Sequence, residues 1–367
     1  MAISGRTFCQ SQSFHSSGSK ISTKKLNNLV RTAIITQVGD PNLSLFFTNP
    51  QTYYSSLEGS FVDYVSIGGS VPVIIPYDME LDKMAGLLDQ TDMLVLPGGS
   101  LANEQNGSYQ RVVDFIVSWV VTRNGPAIVS SRGAYPLYVI GTSTSPFLTS
   151  FVNMKITSPL PKPIITCGAS VSDVNKTHKI VLKPALNATK ILSTLKYEWL
   201  QDCAADTNLF FNHTCALTLD TFEKSQDILG DWVLAGTSTL NNSNVSLTIV
   251  SLLEHSSLPI VISQFDPSKT IFSRGNTGVP LVDRGVSCTR FASDFIIKLV
   301  GTRRDWAKSY AKPEVQRWFS LYDANSQYMI AMYGVERQYT YKRFYSRYPQ
   351  SAVSSRQSET QPVEQPN

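Results

Sequence analysis

Between Arg31 and Gly133 the chain switches repeatedly between two hydrophobic periods, and that alternation constrains its fold more than any other feature. Thr32–Val38 is a β-branched run that predicts a strand. Tyr53–Ile67 places Leu57, Phe61, Tyr64 and Val65 at helical spacing and predicts a helix, closed by Gly68-Gly69. Val71–Ile75 predicts a second strand, Leu81–Leu88 a short helix, and Met93–Leu96 a third strand running into Pro97-Gly98-Gly99. A long amphipathic helix over about Tyr109–Thr122 leads through Asn124-Gly125 to a fourth strand, Ala127–Val129. Strands alternating with helices at this spacing predict an α/β domain with a mainly parallel sheet covered on both faces. Sites in such sheets lie at the carboxyl ends of the strands. Gly98-Gly99, Ser131 and Asp266 all fall at such ends.

Residues 150–260 follow another rhythm. Short β-rich runs at Met154–Thr157, Lys179–Leu182, Trp232–Gly236 and Leu247–Leu253 alternate with loops and predict an antiparallel extension of the same domain. Val286–Val300 predicts a closing helix, and a helical stretch runs from Trp306 through Met332. The expected organisation is an arm at 1–30, one α/β domain at 31–301, a helical extension at 302–334 and a tail at 335–367. Both ends are expected to be flexible. Within the tail, Arg337–Tyr348 interleaves basic and aromatic residues. Such a segment docks on an acidic protein surface, RNA or anionic lipid, or packs its rings on its own domain. Both readings stand. Ser351–Asn367 is rich in Ser, Gln, Glu and Pro and is expected to be disordered.

Composition bounds the function class. With 367 residues, 42% hydrophobic and 16% charged, the chain can bury one large core or two small ones. A net charge of +4 does not argue for nucleic acid, and no specific nucleic-acid partner is expected. A protein partner through the C-terminal extension, and a homodimer, are compatible with the sequence. No run approaches the roughly 18–20 apolar residues of a membrane span. Of the cysteines Cys9, Cys167, Cys203, Cys215 and Cys288, the pair Cys203 and Cys215 is close enough to close a loop; the alternative is buried free thiols. Neither a Cys-x-x-Cys motif nor a His/Cys cluster occurs, so no structural metal is expected, and no cofactor.

Compartment signals conflict. Asn-x-Ser/Thr sequons stand at Asn42, Asn106, Asn175, Asn187, Asn212, Asn241 and Asn244, more than chance suggests, and hint at a secretory history. Yet the N-terminus lacks the apolar core of a signal peptide. It is Ser-rich and free of acids until Asp40, with Arg6, Lys20, Lys24, Lys25 and Arg31. That suits an organelle transit peptide or a plain basic arm, the latter favoured narrowly; an organelle or cytoplasmic location stays open.

Pro126-Ala-Ile-Val-Ser-Ser131-Arg-Gly133 reads as a strand, a tight turn and a helix start, the setting that exposes a nucleophile in a sheet enzyme. Pro259-Ile-Val-Ile-Ser-Gln264-Phe-Asp266-Pro-Ser268-Lys reads as a second strand with a polar elbow, where a base would be mounted. Together with Gly69-Ser-Val-Pro-Val-Ile-Ile-Pro76, Asp92-Met-Leu-Val-Leu-Pro97-Gly98-Gly99 and Phe211-Asn212-His213, these elbows resemble γ-glutamyl hydrolase, in the class I glutamine-amidotransferase-like superfamily. The resemblance runs from about Arg31 to Gly301 and implies a three-layer α/β/α sandwich.

In that family a Cys at the first elbow attacks a γ-glutamyl amide, and a His at the second moves the proton. Here the Cys becomes Ser131, the glycine two before it Val129, the His Asp266, the Trp Phe265 and the Glu Ser268. Gly133, Gln264, Pro267 and the substrate-side His213 remain. A thiol and an imidazole have reference pKa values of about 8.5 and about 6.5, so a proton passes between them at little cost. A hydroxyl facing a carboxyl of reference pKa about 3.9 lacks that match, and general-base help is worth about 10²–10⁴-fold. The resemblance therefore implies an inactive homologue serving as a binding or assembly module. Two alternatives stand beside it. One is a hydrolase of γ-glutamyl (folate polyglutamate-like) amide bonds through Ser131. The other is a non-catalytic glutamate- or folate-binding protein using Gly98, Gly99, Arg132, His213 and Gln264. His15, His178 and His255 carry no motif.

Overall fold

The computed structural model describes residues 30–39, 55–67, 69–125, 133–156, 163–195, 200–201, 204, 209–242, 245–272, 295 and 331–333. The first β-branched run forms two strands, β1 (Arg31–Ile35) and β2 (Gln37–Val38). They part at Thr36, whose N–H donates to the Ile75 carbonyl and whose hydroxyl accepts from the Tyr77 N–H. β3 (Ser55–Glu58) runs directly into helix α1 (Gly59–Ile67), and β4 (Val71–Ile75) precedes α2 (Leu81–Leu88). β5 (Met93–Leu96) precedes α3 (Gly107–Arg123), and β6 (Leu137–Ile140) precedes α4 (Thr144–Lys155). Five short strands follow: β7 (Thr166–Cys167), β8 (Asp173–His178), β9 (Val181–Leu182), β10 (Leu209–His213) and β11 (Cys215–Ala216). Helices α5 (Leu219–Lys224) and α6 (Gln226–Leu229) lead to the long strands β12 (Trp232–Asn242) and β13 (Val245–His255). The remaining elements are β14 (Ile260–Ser263), β15 (Phe265–Asp266), α7 (Pro267–Phe272) and β16 (Ala331–Tyr333).

Among the described residues the main sheet has eight strands in the order β4-β1-β5-β6-β14-β13-β12-β9. From β4 to β14 every neighbour is parallel; from β14 to β9 every neighbour is antiparallel. Parallel neighbours need crossover connections, and the helical segments between the strands supply them. Successive side chains on a strand point to opposite faces, and here each face has its own core. Ile34, Val95, Tyr138 and Val261 pack in one core with Phe61, Tyr64 and Val65 of α1. Ala33, Ile35, Leu94, Leu96, Leu137 and Val139 pack in the other, with buried residues of α2, α3 and α4. The antiparallel extension read from residues 150–260 is the β13-β12-β9 half of this same sheet.

Four expectations change. Ser55–Glu58 is a strand rather than a helical turn, because pairing with β2 (Gln37↔Ser56, Val38↔Ser55) satisfies its backbone and all four residues are buried. Met154 and Lys155 are the last turn of α4, whose Phe147, Leu148, Phe151 and Val152 form its buried face, so the β-rich look of that run comes from a helix end. Ala331–Tyr333 pairs in parallel with β3 as a strand, within a stretch expected to be helical. Cys215 is bonded to Cys167, its direct partner across β11 and β7, rather than to Cys203. Cys203, the strand expected at Ala127–Val129, and all of the expected closing helix but the helical Phe295 lie outside the described residues.

Two side chains at the end of α3 fix where the chain re-enters β6. Asn124 donates from Nδ2 to the carbonyls of Val120 and Tyr135 and accepts the Tyr135 N–H at Oδ1, all within 3.0 Å. Arg123 donates to the Gly133 carbonyl at 3.0 Å and lies over the Tyr135 ring. Removing the Asn124 side chain takes away the bonds it makes to the Tyr135 N–H and carbonyl, whereas the Val120 carbonyl keeps the Asn124 backbone N–H; each such buried loss costs about 1–3 kcal/mol. Asn124→Ala is therefore expected to lower unfolding free energy by about 2–4 kcal/mol in urea titration, at an unchanged m-value.

Candidate functional site

The carboxyl ends of the parallel strands bring the turns after β5 and β6 against each other. A Cβ on Gly98 would lie 2.8 Å from the Ile140 carbonyl oxygen, so only glycine lets the two turns touch. Gly99 has φ +119, the left-handed half of the map, and a Cβ there would lie 2.5 Å from Glu58 Oε1. The space beside this loop is thus occupied by a carboxylate. Gln37 accepts the Ser100 N–H at Oε1, and Asn212 donates to the Gly99 carbonyl at 2.6 Å. Glu104 accepts the Thr214 and Cys215 N–H groups, tying the far end of the loop to the β10–β11 joint.

Asp266 ends β15, opposite Phe210 of β10, and opens α7. Its Oδ1 accepts the Ser268 N–H at 2.9 Å, the Ser268 hydroxyl at 2.6 Å and the Lys269 N–H at 3.2 Å. That is an N-cap, with Pro267 at the first helical position, where its missing N–H is no loss. The Ser268 hydroxyl is also 3.1 Å from that of Ser60 at the start of α1. One residue on, Lys269 Nζ is 3.0 Å from Glu58 Oε1, with side-chain exposures of 9% and 5%, and lies over the Phe210 ring at 4.7 Å. Burial pushes the Glu58 carboxyl up to about 7; Lys269 opposes that rise and the neighbouring Asp266 adds to it. Burial raises Asp266 too, against Lys269 and the cap hydrogen bonds. The phenols of Tyr64 and Tyr138, which feel the Asp266 charge, are likewise pushed up by burial.

His213 belongs to a second cluster. It lies fully buried on β10 beyond an irregularity after Phe211, paired with Asp173 of β8. Its ring packs near Phe211, which in turn meets Phe265 and His178. Burial lowers its pKa to about 4, with His178 adding and Asp173 and the Val171 carbonyl opposing, so the imidazole is neutral at physiological pH. His178 Nε2 is 2.7 Å from Asp173 Oδ2. Gln264 donates to the Cys215 carbonyl at 3.3 Å, and its N–H bonds the Ser251 carbonyl.

The fold therefore gathers Gly98, Gly99, Asp266 and Ser268 around Glu58 and Lys269, and sets His213 among other partners. Ser131, Arg132 and Val129 lie outside the described residues. Glu58, Lys269, Gln37 and Asn212 were not singled out for a site from the sequence. Asn212 carried a signal, standing in the Phe-Asn-His run, whereas Glu58 looked like one more position of a helix. Among the described residues no set of three or more His, Cys, Asp or Glu side chains is placed to hold a metal ion. No described helix is long and apolar enough to cross a membrane.

No protein-family model matches the chain, and no curated protein sequence does. Among solved structures, a Thermoplasma acidophilum protein described as a GMP synthase subunit gives a TM-score of 0.42 at 16% identity, over 79% of this chain and 98% of its own. The sheet order and the two cores, not this likeness, define the fold.

The buried ion pair has a pH signature. A carboxyl raised from 4.5 to about 7 binds its proton more tightly folded than unfolded, so its contribution to stability declines as pH rises between those values. Removing Lys269 raises it further and extends the decline above neutrality. Lys269→Met is therefore expected to cost about 3–5 kcal/mol at about pH 8, where Glu58 loses its counter-charge. The cost should shrink as pH falls through about 7, where the carboxyl is neutral in either protein. Denaturant titrations across that range measure it.

Proposed function

We propose that this chain is a γ-glutamyl hydrolase-like protein of the class I glutamine-amidotransferase type, a three-layer α/β/α sandwich. Its reaction has been lost, and it works as a binding or assembly module. The observation that supports this most is the state of Asp266. Its Oδ1 takes three donors as the cap of α7, and the Lys269–Glu58 pair closes the space beside it. A general base has to present a free lone pair to the proton it removes, and it works best when its pKa is near the working pH. Here one oxygen of the carboxyl is committed to holding a helix; burial raises the carboxyl, and the adjoining ammonium and the cap hydrogen bonds oppose that rise. A serine nucleophile at Ser131 would in addition need far more base assistance than a thiol.

The resemblance implies that backbone amides near the Gly98-Gly99 loop hold an oxyanion, and the Glu58 carboxyl beside that loop disfavours negative charge there. The contact surface of the module is the basic-aromatic segment Arg337–Tyr348, by its composition.

Purified full-length protein, incubated with a γ-glutamyl peptide and with polyglutamylated folate, is expected to release no glutamate above the buffer rate by mass spectrometry. Turnover abolished by Ser131→Ala would overturn the inactive reading. Installing the family's pair, Ser131→Cys with Asp266→His, is expected to restore no activity. It should lower stability by about 0.5–2 kcal/mol through loss of the α7 cap. A ligand-induced rise in Tm without turnover would identify the module as a glutamate or folate binder.

A further inference from the structure

The seven sequons differ sharply once they are placed in the fold. Asn212 is 8% exposed, and its Nδ2 is engaged with the Gly99 carbonyl, leaving no room for a sugar. Asn106 is half-buried and caps α3 by accepting the Tyr109 N–H. The side chains of Asn42, Asn241 and Asn244 lie outside the described residues. Asn175 and Asn187 are exposed. Asn175 sits in β8, which among the described residues is the edge strand of the sheet β15-β10-β8, with Lys176 and Thr177 exposed after it. Asn187 follows β9, which among the described residues is the edge strand of the main sheet, in a short 3₁₀ turn over Pro184–Ala188.

A second observation points the same way. The Cys167–Cys215 disulfide joins an exposed residue of β7 to a buried residue of β11. Disulfides of this kind persist in oxidising compartments and are rare in reducing ones. Those oxidising compartments are also where asparagine-linked glycans are added.

We propose that Asn175 and Asn187 are acceptors of asparagine-linked glycans in a chain that folds in an oxidising compartment. The co-reactant is a lipid diphosphate-linked oligosaccharide. The Asn Nδ2 forms a bond to the anomeric carbon, the bond from that carbon to the diphosphate oxygen breaks, one amide proton is released, and the lipid diphosphate leaves. Each glycan would then stand beside an edge strand. Edge strands present unpaired backbone groups, and here β9 also exposes Val181, so a bulky hydrophilic group at each edge opposes edge-to-edge association.

Asn175 has φ 54, a left-handed conformation that asparagine tolerates better than most residues. Backbone geometry alone would thus favour Asn there, which makes Thr177 the discriminating residue: the transferase needs its hydroxyl and the backbone conformation at Asn175 does not.

The full chain is isolated from the cells that make it, treated with peptide N-glycosidase in heavy-oxygen water, and mapped by mass spectrometry beside an untreated aliquot. The expected result is heavy-oxygen aspartate at positions 175 and 187, unlabelled asparagine at 212, and a Cys167–Cys215 cross-linked peptide under non-reducing conditions. Label missing from either 175 or 187 overturns the assignment at that position. Label at 212, or free thiols at both cysteines, overturns the argument from burial or from compartment. In the same cells Thr177→Ala is expected to remove one glycan from the intact mass and Lys176→Ala none; an unchanged mass for Thr177→Ala overturns the assignment of Asn175.

Discussion

The parallel half of the sheet depends on one constraint: β1, β5, β6 and β14 are buried on both faces, so consecutive residues must satisfy two different cores in turn. Ile34 and Val95 face α1, while Ala33, Ile35, Leu94 and Leu96 face the side of α2, α3 and α4. A one-residue slip would exchange the two sets along a whole strand and bring the small Ala33 where Ile34 now packs. Register is therefore tightly specified. With register goes the level at which every strand ends, and so the ledge that carries Gly98, Gly99 and Asp266. The close approach at Gly98, with room for no Cβ, follows directly from two strands ending side by side.

On that ledge, polar groups satisfy one another rather than an incoming molecule. Desolvating a carboxylate and an ammonium is expensive, and the cost is recovered only if geometry is good and the remaining hydrogen-bonding capacity is used. Glu58 and Lys269 meet at 3.0 Å, Lys269 also lies on the face of Phe210, and Asp266 next door caps the helix that carries Lys269. The cluster joins β3, α1, β10 and α7 through side chains rather than through a shared apolar face. Its members are coupled: the Asp266 charge raises Glu58, and Lys269 lowers both. A group built this way holds elements together and exchanges protons poorly with anything outside.

Much of this was legible before any coordinates. Val71–Ile75, Leu81–Leu88 and Met93–Leu96 stand at the boundaries read from their periodicity, because short runs with one dominant period and a Gly or Pro stop leave little ambiguity. The failures have a common cause. Ser55–Glu58 has helical spacing continuous with α1 yet pairs with β2, a partner that local pattern does not reveal. Met154 is an exposed apolar residue at a helix end, which imitates a strand residue. Cys215 found Cys167, not the nearer Cys203, because β7 and β11 place the two directly opposite. At the site, the second elbow was visible as a polar break after Ile260–Ser263, but a carboxyl that caps a helix and one that takes a proton look alike in sequence.

By itself the sequence determined the alternation of strands and helices, the places where strands end, and the residue types at the two elbows, since these rest on local period and on single residues. Only the tertiary structure decided that Asp266 is held as a cap, that Glu58 and Lys269 meet beside Gly99, and that Asn212 is enclosed while Asn175 and Asn187 face outward. Those outcomes depend on contacts between segments far apart in the chain. Burial and partner geometry set the charge, hydrogen bonding and accessibility of such groups, and neither is encoded within any one segment.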